Sequence, residues 1–502
     1  MSLKLVKAPA EIANLFPNGA EFSCYEDSFQ ETSSLKAMMA RDPKERFLLL
    51  SAQENAGEFA SFEGESVSGN GIFAKRAPLT EKNAAALRKV FAWTAPVPVL
   101  NKKCSFGCGD RLGLATAAHA ELFKKYDAFP VFAQQSIREL TLTKRTYRSV
   151  IDDATFLVFQ AGYTGGYGAD GDHLKSFEHI DMALEVGVTM LTLDLSDQLH
   201  PAFADCCSCK VEEAYDALPE NLRRDMEKTY LASPVQLKSS RIVFSKEELM
   251  RCVLIYTDAM NFAAKVGERL VSHGAGKVDL EISIDETSAP TLPEHHFFVA
   301  NELKRRNVVF ASLAPRFIGE FQKGIDYIGD LTEFRRQFGQ HVEIADYFGT
   351  YKVSVHSGSD KFSAFPIIGE LTNGHFHLKT AGTSWLEAVE AISFADPKLF
   401  REIYTQAFAA LPAALKLYHI TADFSVLPRE ETLSDDQLPE LLKCVPGRQL
   451  LHITYGAMLG EDPVMHDKIY RALFVHEKEY EKQLEEHFEK HISLLGIPLK
   501  KA

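Results

Sequence analysis

Residues 165–176, with the sequence GGYGADGDHLKS, combine three carboxylate or imidazole side chains with four glycines. The three residues are Asp170, Asp172 and His173. Glycine permits backbone conformations that bulkier residues disfavour, so the pattern predicts a tight turn that presents these groups together. Carboxylate and imidazole groups in one place can transfer protons or bind a cation. We therefore expect the centre of an active site in this segment.

The same glycines also have the spacing of a dinucleotide-binding loop. Gly166, Gly168 and Gly171 match G-x-G-x-x-G, and Asp194 follows Gly171 by 23 residues, near the roughly 20 expected for a ribose-binding acid. Asp172 opposes this interpretation, because a carboxylate after the third glycine would repel the pyrophosphate. A cation fits Asp172 and His173 better, and a nicotinamide cofactor is kept as the alternative.

The composition excludes several classes of function. The chain has 502 residues, 46% of them hydrophobic, and a net charge of −14. The negative charge argues against binding to nucleic acid or to an anionic membrane. There is no apolar run of about 18 residues and no apolar signal segment near the N-terminus, so neither a membrane span nor secretion is expected. Eight cysteines in a chain of this length fit reduced thiols, buried or peripheral, in a cytoplasmic protein.

Predicted strands and helices alternate regularly through residues 96–395. The predicted strands are 105–111, 129–136, a short strand ending near 167, 189–197, 278–286, 308–316, 351–358 and 375–382. The repeat predicts an α/β fold with a closed, TIM-like (β/α)8 barrel, and an open doubly wound sheet is the alternative. Residues 198–245 are predicted to be an insertion. Residues 1–95 are expected to form an α/β extension, and residues 396–502 a mostly helical extension packed on the barrel.

Several predicted strands alternate between polar and apolar residues, which fits a polar barrel interior. Polar side chains inside a barrel are costly unless they have partners, and a core built only for packing would be aliphatic. His173, His356 and His377 fall at or near strand ends on this polar face. We predict that they bind a divalent metal cation, whose identity the sequence leaves open.

Acid–base chemistry needs carboxylates close to that cation. Asp172 adjoins His173, and Glu281 and Asp285 share the polar face of the fifth strand. We predict catalytic roles for Asp172 and Glu281. Asp285 stays open as the acid, and so does Glu286, which strand alternation disfavours.

An anionic substrate needs fixed donors, and single charges near strand ends could supply them. The predicted substrate-binding residues are Arg111, Arg316, Ser359, Asp360, Lys361 and Lys379. The segment His452–Gly456 either folds over the barrel mouth or ends a C-terminal strand, and we favour the strand.

Six motifs together resemble the tagaturonate epimerase family. They are FGCGDRLGLAT (106–116), GYGADGDHLKS (166–176), EISIDET (281–287), VSVHSGSDKF (353–362), HFHLKTAGTSWLEAV (375–389) and HITYGAML (452–459). The resemblance implies an enzyme of hexuronate breakdown that interconverts tagaturonate and fructuronate with a divalent metal. It also implies Asp172 as base and His173 as metal ligand.

Simple enolisation does not explain inversion at a carbon two atoms from the ketone. Retro-aldol cleavage and re-formation would, with a carboxylate base, a Lewis-acid cation and a clamp for the substrate carboxylate. Arg316 and Lys379 are the candidates for this clamp. The alternatives are an NAD-dependent sugar-acid oxidoreductase and a non-catalytic sugar-acid-binding barrel, and the sequence leaves the oligomeric state open.

Overall fold

A closed barrel of eight parallel strands forms the centre of the molecule. The computed structural model describes residues 3–287, 289–380 and 382–501. The barrel strands, labelled in chain order, are β1 Cys104–Gly107, β2 Phe129–Ser136, β3 Gly168–Leu174, β4 Met190–Asp194, β5 Asp279–Ile284, β6 Ser312–Pro315, β7 Lys352–Val355 and β8 Phe376–Lys379. Strand β8 pairs with β1, which closes the sheet. The predicted barrel is confirmed, and the open-sheet alternative is wrong.

Polar side chains fill the barrel interior, as the alternation predicted. Ser105 on β1 contacts His377 on β8, with 2.9 Å between Oγ and Nδ1. Ser312 on β6 donates to Glu281 on β5 over 2.6 Å. These four residues are fully buried. Hydrogen bonds between strands therefore stabilise the polar interior, which would otherwise be costly.

Helices surround the barrel between successive strands. They are Thr116–Lys125, Ile137–Thr143, Tyr147–Ala161, Phe177–Val186, Lys246–Gly274, Pro293–Arg305, Leu331–Phe348, Phe365–Thr372 and Thr383–Ala395. Ser176 begins the helix after β3 by accepting a hydrogen bond from the His179 amide, and Gly187 ends it in a left-handed conformation. The helix predicted for 177–186 thus has the expected bounds.

The glycine-rich segment differs from its predicted turn. Residues 168–174 form strand β3, which pairs with both β2 and β4. A Cβ at Gly168 would come 3.0 Å from Val131, and one at Gly171 would come 3.0 Å from Leu174. Close packing beside the strand therefore explains these two glycines, and neither begins a helix as a dinucleotide loop requires.

An antiparallel sheet precedes the barrel. Its strands are Leu5–Lys7, Ser23–Tyr25, Gln30–Glu31, Lys36–Arg41, Arg46–Ala52, Glu65–Gly69 and Ile72–Pro78. Helices Ala10–Ala13, Gly57–Ala60 and Glu81–Val90 accompany it. The predicted insertion contains helices Ala202–Asp205, Ser208–Asp216 and Glu220–Tyr230 and a ribbon of Val235–Gln236 and Arg241–Ile242. The division of the chain at residues 95 and 395 stays a prediction.

The C-terminal part is helical. Its α-helices are Pro397–Ala414, Val445–Ile453, Pro463–Val475 and Glu477–Leu494, with a π-helical turn at Ala457–Glu461. Short 3₁₀ segments occur at Gly19–Glu21, Glu26–Ser28, Ala92–Thr94, Ser196–Gln198, Phe424–Val426, Glu430–Thr432 and Asp435–Leu442. The strand favoured near residues 452–456 is wrong, because His452 lies in a buried helix. Within the described ranges, no helix is both long and apolar enough to cross a bilayer.

Candidate active site

A small polar cavity of 50 Å³ lies at the carboxyl ends of the barrel strands. It opens to a larger cavity of 510 Å³, and the two share part of their walls. The inner cavity is lined by Arg111, Gln134, Ser136, Arg138, Glu139, Asp172, His173, Asp285, Glu286, Lys323, His356, Ser357, Lys379 and Tyr418. The carboxyl-terminal face is where barrel enzymes have their active sites.

Lys379 is the central cation of the inner cavity. Its Nζ lies 2.5 Å from Asp172 Oδ1, 3.0 Å from Asp170 Oδ2 and 3.0 Å from Glu281 Oε1. It also donates a hydrogen bond to Thr192. The ammonium group of Lys379 therefore already forms ion pairs with three buried carboxylates. The predicted role of Lys379 as a clamp for a substrate carboxylate does not fit, because a fourth carboxylate would find its donors already in use.

The two aspartates of β3 next to Lys379 have pKa values shifted in opposite directions. Burial raises the pKa of Asp170 to about 6, with Lys379 opposing the rise. Burial also raises the pKa of Asp172, but Lys379 and the neighbouring His173 outweigh it, so this pKa lies below its ordinary value. Asp172 is therefore the carboxylate held ionised at the cavity wall, as a base must be.

His173, the penultimate residue of β3, has an unusual backbone conformation. Its φ is +54°, which few residues other than glycine adopt. Its Nδ1 lies 3.2 Å from Asp194 Oδ2, and its Nε2 lies 3.8 Å from Asp172 Oδ1. Burial lowers the pKa of His173, but Asp172 and Asp194 reverse the effect and raise it. Asp194 is thus a partner of this imidazole rather than of a ribose.

His356 follows β7 and faces His173, with 4.9 Å between the ring centroids. Its Nε2 lies 2.7 Å from Glu281 Oε1. Its buried Nδ1 lies 3.1 Å from Asp285 Oδ2 but outside hydrogen-bonding geometry. Burial lowers the pKa of His356, and Asp285 and Glu281 more than compensate, raising it to about 10.

These two histidines fit a divalent cation. Each has one ring nitrogen against a buried carboxylate, Asp194 for His173 and Glu281 for His356, and the other nitrogen near a second carboxylate. A carboxylate behind a metal-binding imidazole is the usual way to fix its orientation. Imidazole nitrogens beside Asp172 and Asp285 form a donor set that suits first-row divalent metals.

His377 and Glu281 differ from their predicted positions. His377 is level with Ser354 in the sheet register, two residues before His356. It therefore lies one layer deeper, away from the lining of the inner cavity, and burial lowers its pKa to about 3. Glu281 is fully buried behind His356. Burial raises the pKa of Glu281, but Lys379 and His356 lower it by more, so the pKa lies well below its ordinary value. The alternation of polar and apolar residues along each strand identified the side chains that face the barrel interior, but it could not show how far below the cavity each one lies.

Two carboxylates reach the cavities from beyond the end of β5. Asp285 and Glu286 both line the inner and the outer cavity. The alternation of side-chain directions along a strand disfavoured Glu286. Because β5 ends at Ile284, this alternation does not predict the direction of the Glu286 side chain.

The predicted arginines occupy different positions. Arg111 lines the inner cavity but is already paired with Glu139 over 3.0 Å, and its guanidinium lies 3.7 Å from the ring centroid of Tyr455. The segment around Tyr455 therefore supports the barrel mouth, which was the less favoured alternative. Arg316 lines the outer cavity.

Ser359, Asp360 and Lys361 do not line either cavity. Lys361 Nζ donates to three backbone carbonyls, including that of Ser359 over 2.8 Å. Asp360 pairs with Arg448 over 3.2 Å and with His487 over 2.9 Å. Asp360 therefore attaches C-terminal helices to the loop after β7, and Lys361 connects that loop to the loop after β6, so we do not include these residues in the proposed site.

Several lining residues were not predicted from the sequence. Lys323 and Tyr418 lie in connections, and Arg138 is the second residue of the helix after β2, so strand alternation gives no signal for them. Lys323 donates to Ser357 Oγ over 3.0 Å. The nearest signal was its place in a loop directly after a predicted strand.

Two groups of three potential metal ligands have their donor atoms within 4.8 Å of one another in the described ranges, and neither includes His173 or His356. They are Glu248, Cys252 and His295 and, separately, Asp360, His487 and His491. Both lie outside the cavities. In the second group, His491 Nε2 already accepts a hydrogen bond from the Asp360 amide over 3.1 Å.

Comparisons with known proteins agree with this architecture. The sequence model of the tagaturonate epimerase (UxaE) family matches residues 25–495. A tagaturonate/fructuronate epimerase from Thermotoga maritima is 39% identical over 479 residues, which cover 95% of this chain and 98% of that protein.

Solved structures of fructuronate-tagaturonate epimerase UxaE from Cohnella laeviribosi are also similar. The native crystal structure has a TM-score of 0.92 and 41% identity and covers 98% of this chain and 100% of its own. A glycerol complex has a TM-score of 0.91 and 42% identity, with coverage of 95% and 96%. By sequence and by fold, the chain therefore belongs to the tagaturonate epimerase family.

Proposed function

We propose that this chain interconverts D-tagaturonate and D-fructuronate by epimerisation at the fourth carbon of the ketose. The observation that carries the proposal is an ionised, buried Asp172 beside two carboxylate-oriented histidines at the carboxyl end of the barrel. The relatives from Thermotoga maritima and Cohnella laeviribosi, whose names give the same activity, support the choice of substrate.

We propose that a divalent cation is held by His173 Nε2 and His356 Nδ1, with Asp285 as a further ligand. The Nδ1 of His356 and Asp285 Oδ2 lie 3.1 Å apart but outside hydrogen-bonding geometry, an arrangement that a shared cation would explain. When bound, such a cation would supply Lewis-acid polarisation of substrate oxygens. Asp194 and Glu281 are proposed to orient the two imidazoles, so Glu281 acts through His356 and not on the substrate.

Asp172 is proposed as the base of a retro-aldol reaction. Its carboxylate accepts the proton of the hydroxyl on the fourth carbon, the bond between the third and fourth carbons breaks, and an enolate and an aldehyde result. The aldehyde presents its other face, the carbon–carbon bond re-forms, and Asp172 returns the proton. Lys379 keeps Asp172 ionised before each cycle. Glu286 at the cavity wall is proposed to exchange protons with the enolate oxygen.

The test is incubation of the purified protein with D-fructuronate and a divalent metal, followed by product identification by NMR. Appearance of D-tagaturonate is expected, with no carbonyl reduction and no requirement for added nicotinamide. A product with an oxidised or reduced carbon would favour the oxidoreductase alternative. Tight uronate binding without turnover under any metal would favour a binding protein.

A further inference from the structure

The cations around the cavity differ in whether they have anionic partners. Lys379 has three carboxylates, and Arg111 has Glu139. Lys323 and Arg138 also line the inner cavity, yet within the described ranges neither has a carboxylate oxygen within 4.0 Å. A cation in a cleft without a counter-ion is an expected feature of a site for an anionic ligand.

The contacts of Lys323 leave donors available. Its ammonium donates to Ser357 Oγ over 3.0 Å, and an ammonium has three protons to donate. Burial lowers the pKa of Lys323, and repulsion from the positive charge of Arg138 lowers it further. Arg138 donates to the Leu417 carbonyl over 3.2 Å, and its guanidinium lies 4.8 Å from the ring centroid of Tyr418. Two cations are thus held near each other, and a shared anion would relieve their repulsion.

The chemistry of the proposed substrate requires an anion receptor close to the base. In a six-carbon ketouronate, the carboxyl carbon is two bonds from the fourth carbon. The carboxylate must therefore lie within a few Å of the carbon whose hydroxyl meets Asp172. Lys323, Arg138 and Asp172 line the same cavity of 50 Å³, which satisfies this requirement. Arg316 lines only the outer cavity and is less well placed.

We propose that Lys323, assisted by Arg138, binds the substrate carboxylate and makes the site selective for sugar acids over neutral ketoses. This inference rests on the proposed function, because it assigns one end of the same substrate. It replaces Lys379, the clamp predicted from the sequence, with a residue from the loop after β6.

The test compares binding of D-fructuronate with binding of D-fructose, its neutral counterpart, by isothermal titration calorimetry on the enzyme as purified. The measured quantity is the ratio of the two dissociation constants. The variants are Lys323→Met, which keeps length and removes charge, and Lys323→Arg, which keeps charge. Lys265→Met, at an exposed site outside both cavities, controls for the change in net charge.

We expect Lys323→Met to reduce the preference for the uronate by about tenfold to a hundredfold, the value of a charge-assisted hydrogen bond. Lys323→Arg should keep most of the preference, and Lys265→Met should keep all of it. Should Lys323→Met fail to fold, Arg138→Met supplies the second test, with an expected loss of about twofold to fivefold because Arg138 is exposed.

Two results would overturn the proposal: a wild-type enzyme without preference for the uronate, or a full preference retained in Lys323→Met and Arg138→Met. Turnover of fructuronate is a separate readout. A wild-type protein that binds the uronate selectively through Lys323 but does not epimerise it would refute the proposed function and leave the carboxylate assignment intact.

Discussion

Replacing Lys379 by methionine tests whether this lysine is an internal counter-ion or a substrate contact. Its ammonium lies 2.5 to 3.0 Å from oxygens of Asp170, Asp172 and Glu281. Methionine fills a similar volume without charge, so three buried carboxylates would lose their shared cation. Removing one partner of a buried ion pair costs about 3–5 kcal/mol, and we expect a loss of at least this size in the free energy of unfolding at neutral pH.

The loss should depend on pH. With Lys379 present, Asp172 and Glu281 have pKa values below the ordinary range, so they stabilise the wild type above the unfolded pKa and cease to do so as pH falls. Without Lys379, the carboxyl pKa values rise, so the folded variant binds more protons than the unfolded chain and gains stability as pH falls. Between pH 8 and pH 5 only the second effect acts, because the first begins below the ordinary carboxyl pKa values, and it makes the difference between wild type and variant smaller at pH 5 than at pH 8.

The assay is urea unfolding of chelator-treated protein, because a bound cation would partly replace the lost charge. Fluorescence of the two tryptophans, Trp93 and Trp385, reports the transition. Lys352→Met is the matched control, since Lys352 is equally buried in the barrel but donates to the Lys102 carbonyl and to Ser105 Oγ. Its loss should be about 1–2 kcal/mol.

The result that would refute this reasoning is a Lys379→Met protein with wild-type urea resistance and a weakened affinity for uronate alone. In that case Lys379 is the clamp that the sequence predicted, and the three carboxylates must find their compensation elsewhere.

Further predictions concern the base, the metal and Glu481, a buried glutamate of the last helix. Asp172→Asn should lower kcat by about two to four orders of magnitude while metal content and uronate binding stay near wild type, and joint loss of metal would instead identify Asp172 as a ligand. His173→Ala and His356→Ala should each release bound metal, measured by elemental analysis after gel filtration; full retention in both would locate the cation elsewhere. Burial and the nearby Glu477 raise the pKa of Glu481 from 4.5 to about 8, so the folded state binds the extra proton and wild-type stability falls as pH rises through this range. Glu481→Gln should therefore raise the free energy of unfolding at pH 9 by at most about 5 kcal/mol, seen as a higher urea midpoint, and should leave it nearly unchanged at pH 4. Equal midpoints for wild type and variant at both pH values would contradict the pKa shift.

The sequence by itself determined the barrel and its polar interior. Strand and helix periods are local properties, so the repeat from residues 96 to 395 was sufficient to predict closure of β8 onto β1. Alternation also identified Asp194, Glu281 and His356 as interior residues, because side chains on a strand point to opposite faces in turn.

Only the tertiary structure decided which of these groups meet. The register between β7 and β8 puts His377 one layer below His356, and no single strand contains that information. Lys379 lies on β8, but its partners come from β3 and β5, so its role as a counter-ion depends on contacts across the barrel. Lys323 comes from a loop, where no period constrains the direction of a side chain. Local sequence sets the element and the face, whereas depth, pairing and loop position arise from contacts between residues far apart in the chain.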